Sequence, residues 1–377
     1  MHPTAIAVVD DQRKYKAIEL LVAALVLADV LDAKGVSDRV AIALPCSGMF
    51  PIAALAAWIT GRTIVPVNFL LKPDELQYIL DDSGCDTFVT VGPLLDFMKY
   101  TPGRVKVLKL EDIDFKQVPQ PRWPVNSSDD DLGVLLYTSG TSGKPKGVML
   151  THGNITANLR MIDKHIHFTS KEVMLGVLPQ FHTFGLTVLT ALPLTIGAKV
   201  VYTAKFVPSR IVAAMRDHKV TAFIGIPSMY NALCHVKDTK PDDLKSLYYA
   251  VSGGEPLPQA VADNFKAKFG VTIAEGYGMT ETSPIGTMGA KPWDWDEMSF
   301  DEQVDMVVKQ GRVPFGVELR VVGDDDEVLP RDGKSSGRLQ IRGLWIIQRY
   351  FDAEVDAADA DGWFDTGDVA TIDQYGY

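Results

Sequence analysis

Residues 137–147 read Tyr-Thr-Ser-Gly-Thr-Ser-Gly-Lys-Pro-Lys-Gly, and they are the most informative stretch of the chain. Apolar runs flank them, GVLLY before and GVMLTH from Gly147 onward, and each run predicts a strand. Three glycines, four serine or threonine hydroxyls and two lysines within eleven residues suit a loop that wraps an anion. Glycine lets backbone N–H groups approach an anion, hydroxyls donate hydrogen bonds, and lysine supplies positive charge.

This loop does not follow the Walker pattern of P-loop enzymes. Only two residues separate Gly140 from Gly143, and Lys144 is followed by proline rather than serine or threonine. Pro145 and Gly147 disfavour a helix directly after the loop, so no helix dipole would add to anion binding. The sequence predicts a strand–loop–strand cradle that holds phosphates more loosely than a P-loop. The alternative, a flexible turn rich in serine, threonine and glycine, is disfavoured by the Lys-Pro-Lys-Gly ending and the flanking strands.

Segments with helical spacing alternate with short apolar strands over most of the chain. ELLVAALVLADVLDAKG leads to DRVAIALP, GMFPIAALAAWITG to TIVPVN, KPDELQYILDDSG to CDTFVTVG, and PSRIVAAMRDHK to VTAFIGIP. Short β-branched strands between helices indicate parallel sheets covered by helices on both faces. The fold class expected from this alternation is α/β.

The pattern changes after about Arg312. GVELRVVGDDDEVLP and SGRLQIRG alternate apolar and polar residues around turn-forming clusters, which predicts antiparallel hairpins. The acidic run at 324–326 is expected at a solvated hairpin tip. The polar, proline-rich segment 119–131 is expected to be a surface connection.

Length and charge exclude several classes of protein. The 377 residues contain 46% hydrophobic and 23% charged residues, which is typical of a folded globular protein of two or three domains. Lysine and arginine number 37 against 48 aspartates and glutamates, so the net charge of −11 repels phosphate backbones and argues against nucleic acid as a partner. An anion such as ATP would need a local basic loop and a divalent metal.

The cysteines and the longest apolar run bear on the cellular location. Cys46, Cys85 and Cys234 are odd in number and widely spaced, so they predict neither a disulfide framework nor a CxxC site and favour a reducing cytoplasm. The apolar run 20–28 is much shorter than the ~20 residues of a membrane span and lacks the features of a signal peptide. We therefore expect no transmembrane segment, although peripheral contact with a membrane stays open.

Four further segments contain candidate functional residues. They are Val-Ser-Gly-Gly-Glu-Pro-Leu at 251–257, Glu-Gly-Tyr-Gly-Met-Thr-Glu at 275–281, Gly-Trp-Phe-Asp-Thr-Gly-Asp at 362–368 and Pro-Gln-Phe-His-Thr-Phe-Gly at 179–185. Taken singly, each has an ordinary structural explanation, such as a Gly-Gly turn, a core aromatic at Tyr277 or a core histidine at His182. Yet a ring between two glycines can stack on a base, and carboxylates can bind Mg²⁺ or accept from hydroxyls.

Taken in their order along the chain, the five segments resemble the adenylate-forming superfamily, which includes acyl-CoA synthetases, luciferases and the adenylation domains of nonribosomal peptide synthetases. The resemblance covers nearly the whole chain, and fatty acyl-CoA ligases are the most similar group. Ser142 stands where the family usually has a second threonine, which preserves the hydroxyl. The resemblance implies two mostly parallel sheets covered by helices in a layered αβαβα arrangement over 1–310, and a small antiparallel, barrel-like β subdomain over 311–377.

The resemblance also implies roles for individual residues. Those implied to bind ATP or AMP are Thr138, Ser139, Gly140, Thr141, Ser142, Gly143, Lys144, Gly253, Gly254, Glu255, Pro256, Glu275, Gly276, Tyr277, Gly278, Met279, Thr280 and Asp368. Those implied to line the acyl pocket are His182, Phe184, Gly185, Ile226 and Gly278. Thr138 and Glu281 would bind Mg²⁺, while Lys144, His182 and Glu281 would act in catalysis.

The implied reaction uses ATP, Mg²⁺ and coenzyme A to convert a carboxylic acid first to an acyl-adenylate and then to a thioester. The apolar sequence FHTFGLTVLTALPL favours a medium- or long-chain fatty acid, because an alkyl chain needs an apolar lining. Two alternatives stay open: a fatty acyl–acyl carrier protein ligase, and a non-catalytic module that binds acyl-adenylate. The family carries a further mobile C-terminal domain, which we do not find in these 377 residues, so slow adenylate formation by this chain alone is expected.

Overall fold

The computed structural model describes residues 2–139, 144–289, 297–299, 302–303 and 309–377. Its strands are β1 (Ile6–Val9), β2 (Lys14–Lys16), β3 (Arg39–Ile42), β4 (Thr63–Pro66), β5 (Thr87–Thr90), β6 (Lys106–Lys109), β7 (Leu132–Thr138), β8 (Lys146–Thr151), β9 (Val173–Gly176), β10 (Lys199–Tyr202), β11 (Ala222–Gly225), β12 (Tyr249–Ser252), β13 (Ile273–Tyr277), β14 (Thr287–Met288), β15 (Val317–Val322), β16 (Gly337–Gly343) and β17 (Phe364–Ala370).

The α-helices are α1 (Ala17–Ala33), α2 (Met49–Ile59), α3 (Pro73–Ser83), α4 (Gly92–Met98), α5 (His152–Ile166), α6 (Thr183–Leu186), α7 (Leu192–Ile196), α8 (Pro208–His218), α9 (Pro227–Cys234) and α10 (Gln259–Phe269). Short 3-10 turns lie at Leu110–Asp112, Pro241–Leu244 and Thr280–Thr282. A π-helical turn, Thr187–Ala191, separates α6 from α7.

The alternation expected from the sequence is confirmed. Helix α3 shows the reason locally: it begins at Pro73, whose ring suits the first helical position, and Gly84 follows it in the left-handed conformation at φ 66°. Its buried residues Leu76, Ile79 and Leu80 follow the spacing of one helix face. Strand β5, buried along its whole length, comes next.

The chain divides into two compact units, of which unit 1 comprises Met1–Thr156, Gly176–Lys205 and Tyr350–Ala353. Unit 1 contains a six-stranded sheet with the order β6-β5-β3-β4-β7-β8, in which every neighbouring pair is parallel except β7 with β8. Also in unit 1, β1 pairs in parallel with β10 and antiparallel with β2. A buried cluster packs Ala41, Val65, Phe88 and Leu135 of the sheet against α3 and α4.

Unit 2 comprises Ala157–Leu175, Phe206–Arg349 and Glu354–Tyr377. Its strands β13, β12, β11 and β9 lie side by side in parallel, and β14 is antiparallel to β13. A separate sheet, β15-β16-β17, is antiparallel throughout, as the hairpin pattern predicted. The expected fold class, mostly parallel sheets with helices plus a small antiparallel sheet near the C-terminus, is confirmed. The proposed division into 1–310 and 311–377 stays a prediction.

Two surface features also follow the sequence. The acidic run at 324–326 is exposed between β15 and β16. Segment 119–131 is mostly exposed, and Arg122 attaches it to Asp29 and Asp32 of α1 at 2.5 and 2.7 Å. Among the helices of the described ranges, none is both long enough and apolar enough to span a bilayer.

Candidate functional site

The predicted phosphate loop connects the two strands of a β-hairpin in unit 1. Strands β7 and β8 pair Tyr137 with Gly147 and Thr138 with Lys146, which confirms the strand–loop–strand arrangement. At the loop ends, Thr138 is half-buried, whereas Ser139 and Lys144 are exposed. The loop positions Gly140, Thr141, Ser142 and Gly143 lie outside the described residues.

Close packing explains the glycine that ends the loop. A Cβ atom on Gly147 would lie 2.9 Å from Cβ of Phe351, closer than carbon atoms approach in proteins, and a tight 3.0 Å from Cδ1 of Leu135. The carbonyl of Gly147 accepts a hydrogen bond from the N–H of Phe351 at 2.7 Å. Segment 350–353 therefore supports the base of the loop within unit 1.

In unit 2, the two segments predicted to bind the nucleoside end neighbouring parallel strands. Strand β12 leads into Gly253 and Gly254, the latter at φ 83°, a conformation that favours glycine. Glu255 and Pro256 follow and are exposed. Because β12 and β13 are parallel, with Ser252 opposite Glu275, the ends of both strands meet at the same sheet edge.

Glu275 is a buried carboxylate at that edge. Its Oε1 accepts hydrogen bonds from the N–H of Leu257 and from Nε2 of Gln310, both at 2.7 Å. Its Oε2 is buried and has no hydrogen-bond partner in the structure. Burial raises the pKa of Glu275 to about 7, against the opposing effect of the two donors.

Tyr277 and Asp368 meet within unit 2 although 91 residues separate them. The Tyr277 hydroxyl donates to Oδ2 of Asp368 at 2.5 Å. Burial, together with this carboxylate, raises the pKa of the tyrosine, so the hydroxyl stays protonated and donates. Asp368 itself is exposed within β17, directly after Gly367 at φ 78°. Two residues predicted to contact one nucleoside are thus in direct contact.

The turn after β13 is tightly packed. A Cβ atom on Gly278 would lie 1.8 Å from the carbonyl oxygen of Pro284, so only glycine fits. Met279 and Thr280, both half-buried, lead to Glu281, which is buried. The backbone carbonyl of Glu281 accepts from the N–H of Ile347 at 3.0 Å, which holds the turn in place.

The segment predicted to orient the carboxylate starts a short helix in unit 1. His182 precedes α6, and its ring lies 4.9 Å from that of Phe181. Solvent reaches the His182 side chain, yet the surrounding protein lowers its pKa by desolvation, which favours the neutral imidazole. A Cβ atom on Gly185 would lie 2.2 Å from the carbonyl of Pro179, so this position also requires glycine. Phe184 is half-buried.

Ile226 lies beside the predicted nucleotide-binding turn. It is half-buried, precedes α9 and belongs to unit 2. Its Cγ2 is 3.7 Å from the place that a Cβ atom on Gly254 would occupy. The structure thus brings this predicted pocket residue next to the Gly253–Gly254 turn.

The sequence did not predict the contacts of three residues in these regions. Gln310 reaches Glu275 across 35 positions, and nothing in its local sequence indicates a functional residue. Asp82 accepts from Tyr137 at the loop stem, but its sequence surroundings predict only a helix. Gln180 lies in the 179–185 motif, yet the motif predicts no role for it; its side chain is buried, accepts from the N–H of Ser47 and donates to Thr190.

Comparison with known proteins supports the resemblance. The AMP-binding enzyme family matches residues 1–351. A feruloyl-CoA synthase of Amycolatopsis is 31% identical over 356 residues, covering 93% of this chain and 70% of the relative. A medium-chain fatty acid–CoA ligase of Ectopseudomonas oleovorans is 33% identical over 260 residues, covering 68% of this chain and 47% of the relative.

Solved structures of similar proteins support the same family resemblance. The N-terminal domain of FACL13 from Mycobacterium tuberculosis has a TM-score of 0.87 at 25% identity, and the match covers 100% of this chain and 95% of that one. Apo MatB from Rhodopseudomonas palustris has a TM-score of 0.85 at 27% identity, covering 100% of this chain and 75% of that one. Both the expected resemblance and the expected enzyme class, AMP-forming acid–thiol ligases, are confirmed. The chain belongs to the AMP-binding enzyme family.

Proposed function

We propose that this chain binds ATP and activates a fatty acid as its adenylate, for transfer to the thiol of coenzyme A. The observation that carries the proposal is the contact between Tyr277 and Asp368, which come from two distant motifs. It lies in the same unit as the Gly253–Gly254 turn and the buried Glu275. A base-stacking ring and a ribose-binding carboxylate are what a nucleoside needs.

The chemistry has two steps. In the first, a carboxylate oxygen attacks the α-phosphorus of ATP, the bond to the β-phosphate breaks, and pyrophosphate leaves. In the second, a thiolate sulfur attacks the acyl carbon, the bond to the phosphate oxygen breaks, and AMP leaves. Neither step needs a protein nucleophile, so we assign catalysis to positioning and to charge neutralisation.

We assign neutralisation of the phosphate charge to the phosphate loop. Lys144 is exposed at the loop end, and we assign its ammonium group to a bound phosphate. The loop N–H groups and hydroxyls would share the negative charge of the leaving pyrophosphate. This local cluster would act against the repulsion that a net charge of −11 exerts on ATP.

The residues proposed for Mg²⁺ fit its chemistry. The Thr138 hydroxyl and the Glu281 carboxylate are oxygen donors, which this hard cation prefers. Among the described residues, no three His, Cys, Asp or Glu side chains form a metal-binding group. Two protein ligands would leave the other positions to phosphate oxygens and water, as is usual for Mg²⁺ with nucleotides. When bound, Mg²⁺ would neutralise phosphate charge.

The fatty-acid substrate is the finer part of the proposal. Supporting it, segment 183–194 contains no charged residue, and Leu186, Val188 and Leu189 in it are buried. Relatives with aromatic, sulfur-containing and fatty substrates all occur among the named CoA ligases and synthases. We assign His182 the orientation of the carboxylate, because desolvation favours its neutral form, which can donate one hydrogen bond.

Thermal unfolding of this chain with ligands tests the proposal. ATP with Mg²⁺ should raise the Tm, because binding to the folded state alone stabilises it. Among acids added with ATP, C8 to C16 fatty acids should raise the Tm further, whereas ferulic acid should not. A larger shift with ferulic acid would exclude the fatty substrate and leave the nucleotide assignment intact.

A variant pair makes the nucleotide test specific. Asp368→Ala should weaken AMP binding by about tenfold or more, because hydrogen bonds from both ribose hydroxyls to a charged acceptor are lost. Asp324→Ala, an exposed aspartate at the hairpin tip, is the matched control and should bind AMP like the wild type. Equal affinities in calorimetric titration would refute the assigned role of Asp368.

The two alternatives have their own tests. A fatty acyl–acyl carrier protein ligase would transfer the acyl group to holo carrier protein instead of coenzyme A, which a thioester assay with each acceptor distinguishes. A non-catalytic module would bind a nonhydrolysable acyl-adenylate mimic but release no pyrophosphate from the intact enzyme. We also propose a cytoplasmic location, supported by the free thiols of Cys46, Cys85 and Cys234.

A further inference from the structure

Helix α3 ends in an electrostatically unfavourable way. Its last turn contains Asp81 and Asp82 and no basic residue. The C-terminal end of a helix carries partial negative charge, so carboxylates there are destabilising unless other contacts compensate. Asp81 is exposed, but Asp82 is half-buried, so only the second must find its compensation inside the protein.

Both oxygens of Asp82 accept hydrogen bonds from tyrosines. The Tyr137 hydroxyl donates to Oδ2 at 2.5 Å, and the Tyr78 hydroxyl donates to Oδ1 at 3.3 Å. Tyr78 lies one turn earlier on α3, whereas Tyr137 comes from β7, the strand that leads into the phosphate loop. Burial and then Asp82 raise the pKa of Tyr137, so its hydroxyl stays protonated and donates.

The same helix also contacts the other end of the loop. Nζ of Lys144 lies 5.9 Å from the centre of the Tyr78 ring, within the range of a cation–π contact. Tyr137 precedes Thr138 on the incoming strand, and Lys144 stands just before the outgoing strand β8. Asp82 is therefore linked to both ends of the loop, directly through Tyr137 and indirectly through Tyr78.

We propose that Asp82 is a positioning residue for the triphosphate: through Tyr137 and Tyr78 it holds the two ends of the phosphate loop at the spacing that ATP requires. This inference rests on the proposed nucleotide function and extends it to a residue that touches no substrate. Losing the link should weaken binding of the β- and γ-phosphates more than binding of the nucleoside, because the nucleoside is assigned to residues of unit 2.

A comparison of the binding affinities for ATP and AMP tests the proposed role of Asp82. In calorimetric titrations of the full chain, Asp82→Asn should bind ATP about tenfold more weakly, the loss expected when hydrogen bonds to a charged acceptor are weakened. Its affinity for AMP should stay within about twofold of the wild type. Asp81→Asn is the matched control: this exposed neighbour accepts from Gln77 and pairs with Arg104, and its change should alter neither affinity.

A second variant guards against misfolding. Tyr137→Phe removes only the hydroxyl, and it should reproduce the selective loss of ATP affinity without a further loss in the double variant with Asp82→Asn. Equal losses of ATP and AMP affinity, or unchanged ATP affinity, would overturn the inference and leave the nucleotide function standing. Failure of the wild type to bind either nucleotide would overturn both.

Discussion

Gly278 illustrates how a single atom constrains the proposed site. The residue lies between Tyr277 and Met279, and the position of its missing Cβ falls 1.8 Å from a backbone carbonyl oxygen. The resemblance implies that Gly278 binds the nucleotide and lines the acyl pocket. The structure shows a second requirement, because the carbonyl group of Pro284 occupies the space that a Cβ atom would need.

We therefore expect Gly278→Ala to destabilise the protein in the absence of nucleotide. Relieving the clash requires backbone movement, so the free energy of unfolding should fall by about 2 kcal/mol or more. Gly103→Ala is the control, because a Cβ there meets no atom within 4 Å and should change stability by less than about 0.5 kcal/mol. Urea denaturation measures both, and equal midpoints would contradict the steric argument.

The buried carboxylate of Glu275 predicts a dependence of stability on pH. Its folded pKa, about 7, exceeds the ordinary value of 4.5, so between these values the folded state binds more protons than the unfolded state. The contribution of Glu275 to stability is therefore present below pH 4.5 and decreases as the pH rises to about 7. Above that, the folded protein contains a buried charge.

Glu275→Gln should remove this dependence. The amide keeps one acceptor and places two donors where Oε2 has no partner, so the variant should be more stable than the wild type at pH 8, by about 1–3 kcal/mol. At pH 4.5 the two proteins should differ little. Urea denaturation across this range, with Glu255→Gln as an exposed control, provides the comparison. A constant difference at every pH would argue against titration of Glu275.

At the scale of elements, local signals were sufficient for most helices and strands. Helix α3 was expected from Pro73, the apolar spacing and Gly84, and its bounds match those signals. The hairpin β7–β8 was expected from two apolar runs around a glycine-rich loop. The π-helical turn at Thr187–Ala191 was not expected, because an extra residue in one helical turn leaves no mark in a uniformly apolar sequence.

Segment 119–131 is attached to α1 by a defined ion-pair cluster, which suggests a test of local stability. Arg122 pairs with Asp29 and Asp32, and the N–H of Gln120 donates to Asp29 at 2.7 Å. Arg122→Ala should free the segment and increase its rate of proteolysis several-fold. The free energy of global unfolding should fall by only about 1 kcal/mol.

Limited proteolysis with mass spectrometry of the fragments measures this effect. Arg104→Ala is the control, because Arg104 is largely exposed and its ion pair with Asp81 is long, at 3.7 Å. Cleavage of the Arg122→Ala variant at the wild-type rate would show that other contacts hold the segment.

At the scale of the whole molecule, the three thiols report on global unfolding. Cys46 and Cys85 are buried in unit 1, and Cys234 is half-buried in unit 2. Burial raises the pKa of each, that of Cys85 to about 11, so the reactive thiolate is scarce in the folded protein.

With a thiol reagent at pH 8, we expect at most one fast-reacting group in the native protein, Cys234, and three in urea. Cys234→Ser should abolish the fast phase. Rapid native labelling of Cys46 or Cys85 would show that unit 1 opens locally, and mass spectrometry of the labelled peptides identifies the site.

The sequence by itself determined the alternation of helices and strands, the hairpin under the phosphate loop and the candidate residues Thr138, Lys144, Tyr277 and Asp368. Periodicity, glycine and proline placement and motif order are short-range properties, so they can be read along the chain. Only the tertiary structure decided that Tyr277 meets Asp368, that Glu275 keeps one buried oxygen without a partner, and that Asp82 contacts the loop stem. These facts join residues tens of positions apart, and they depend on the path of the chain in space rather than on any local pattern.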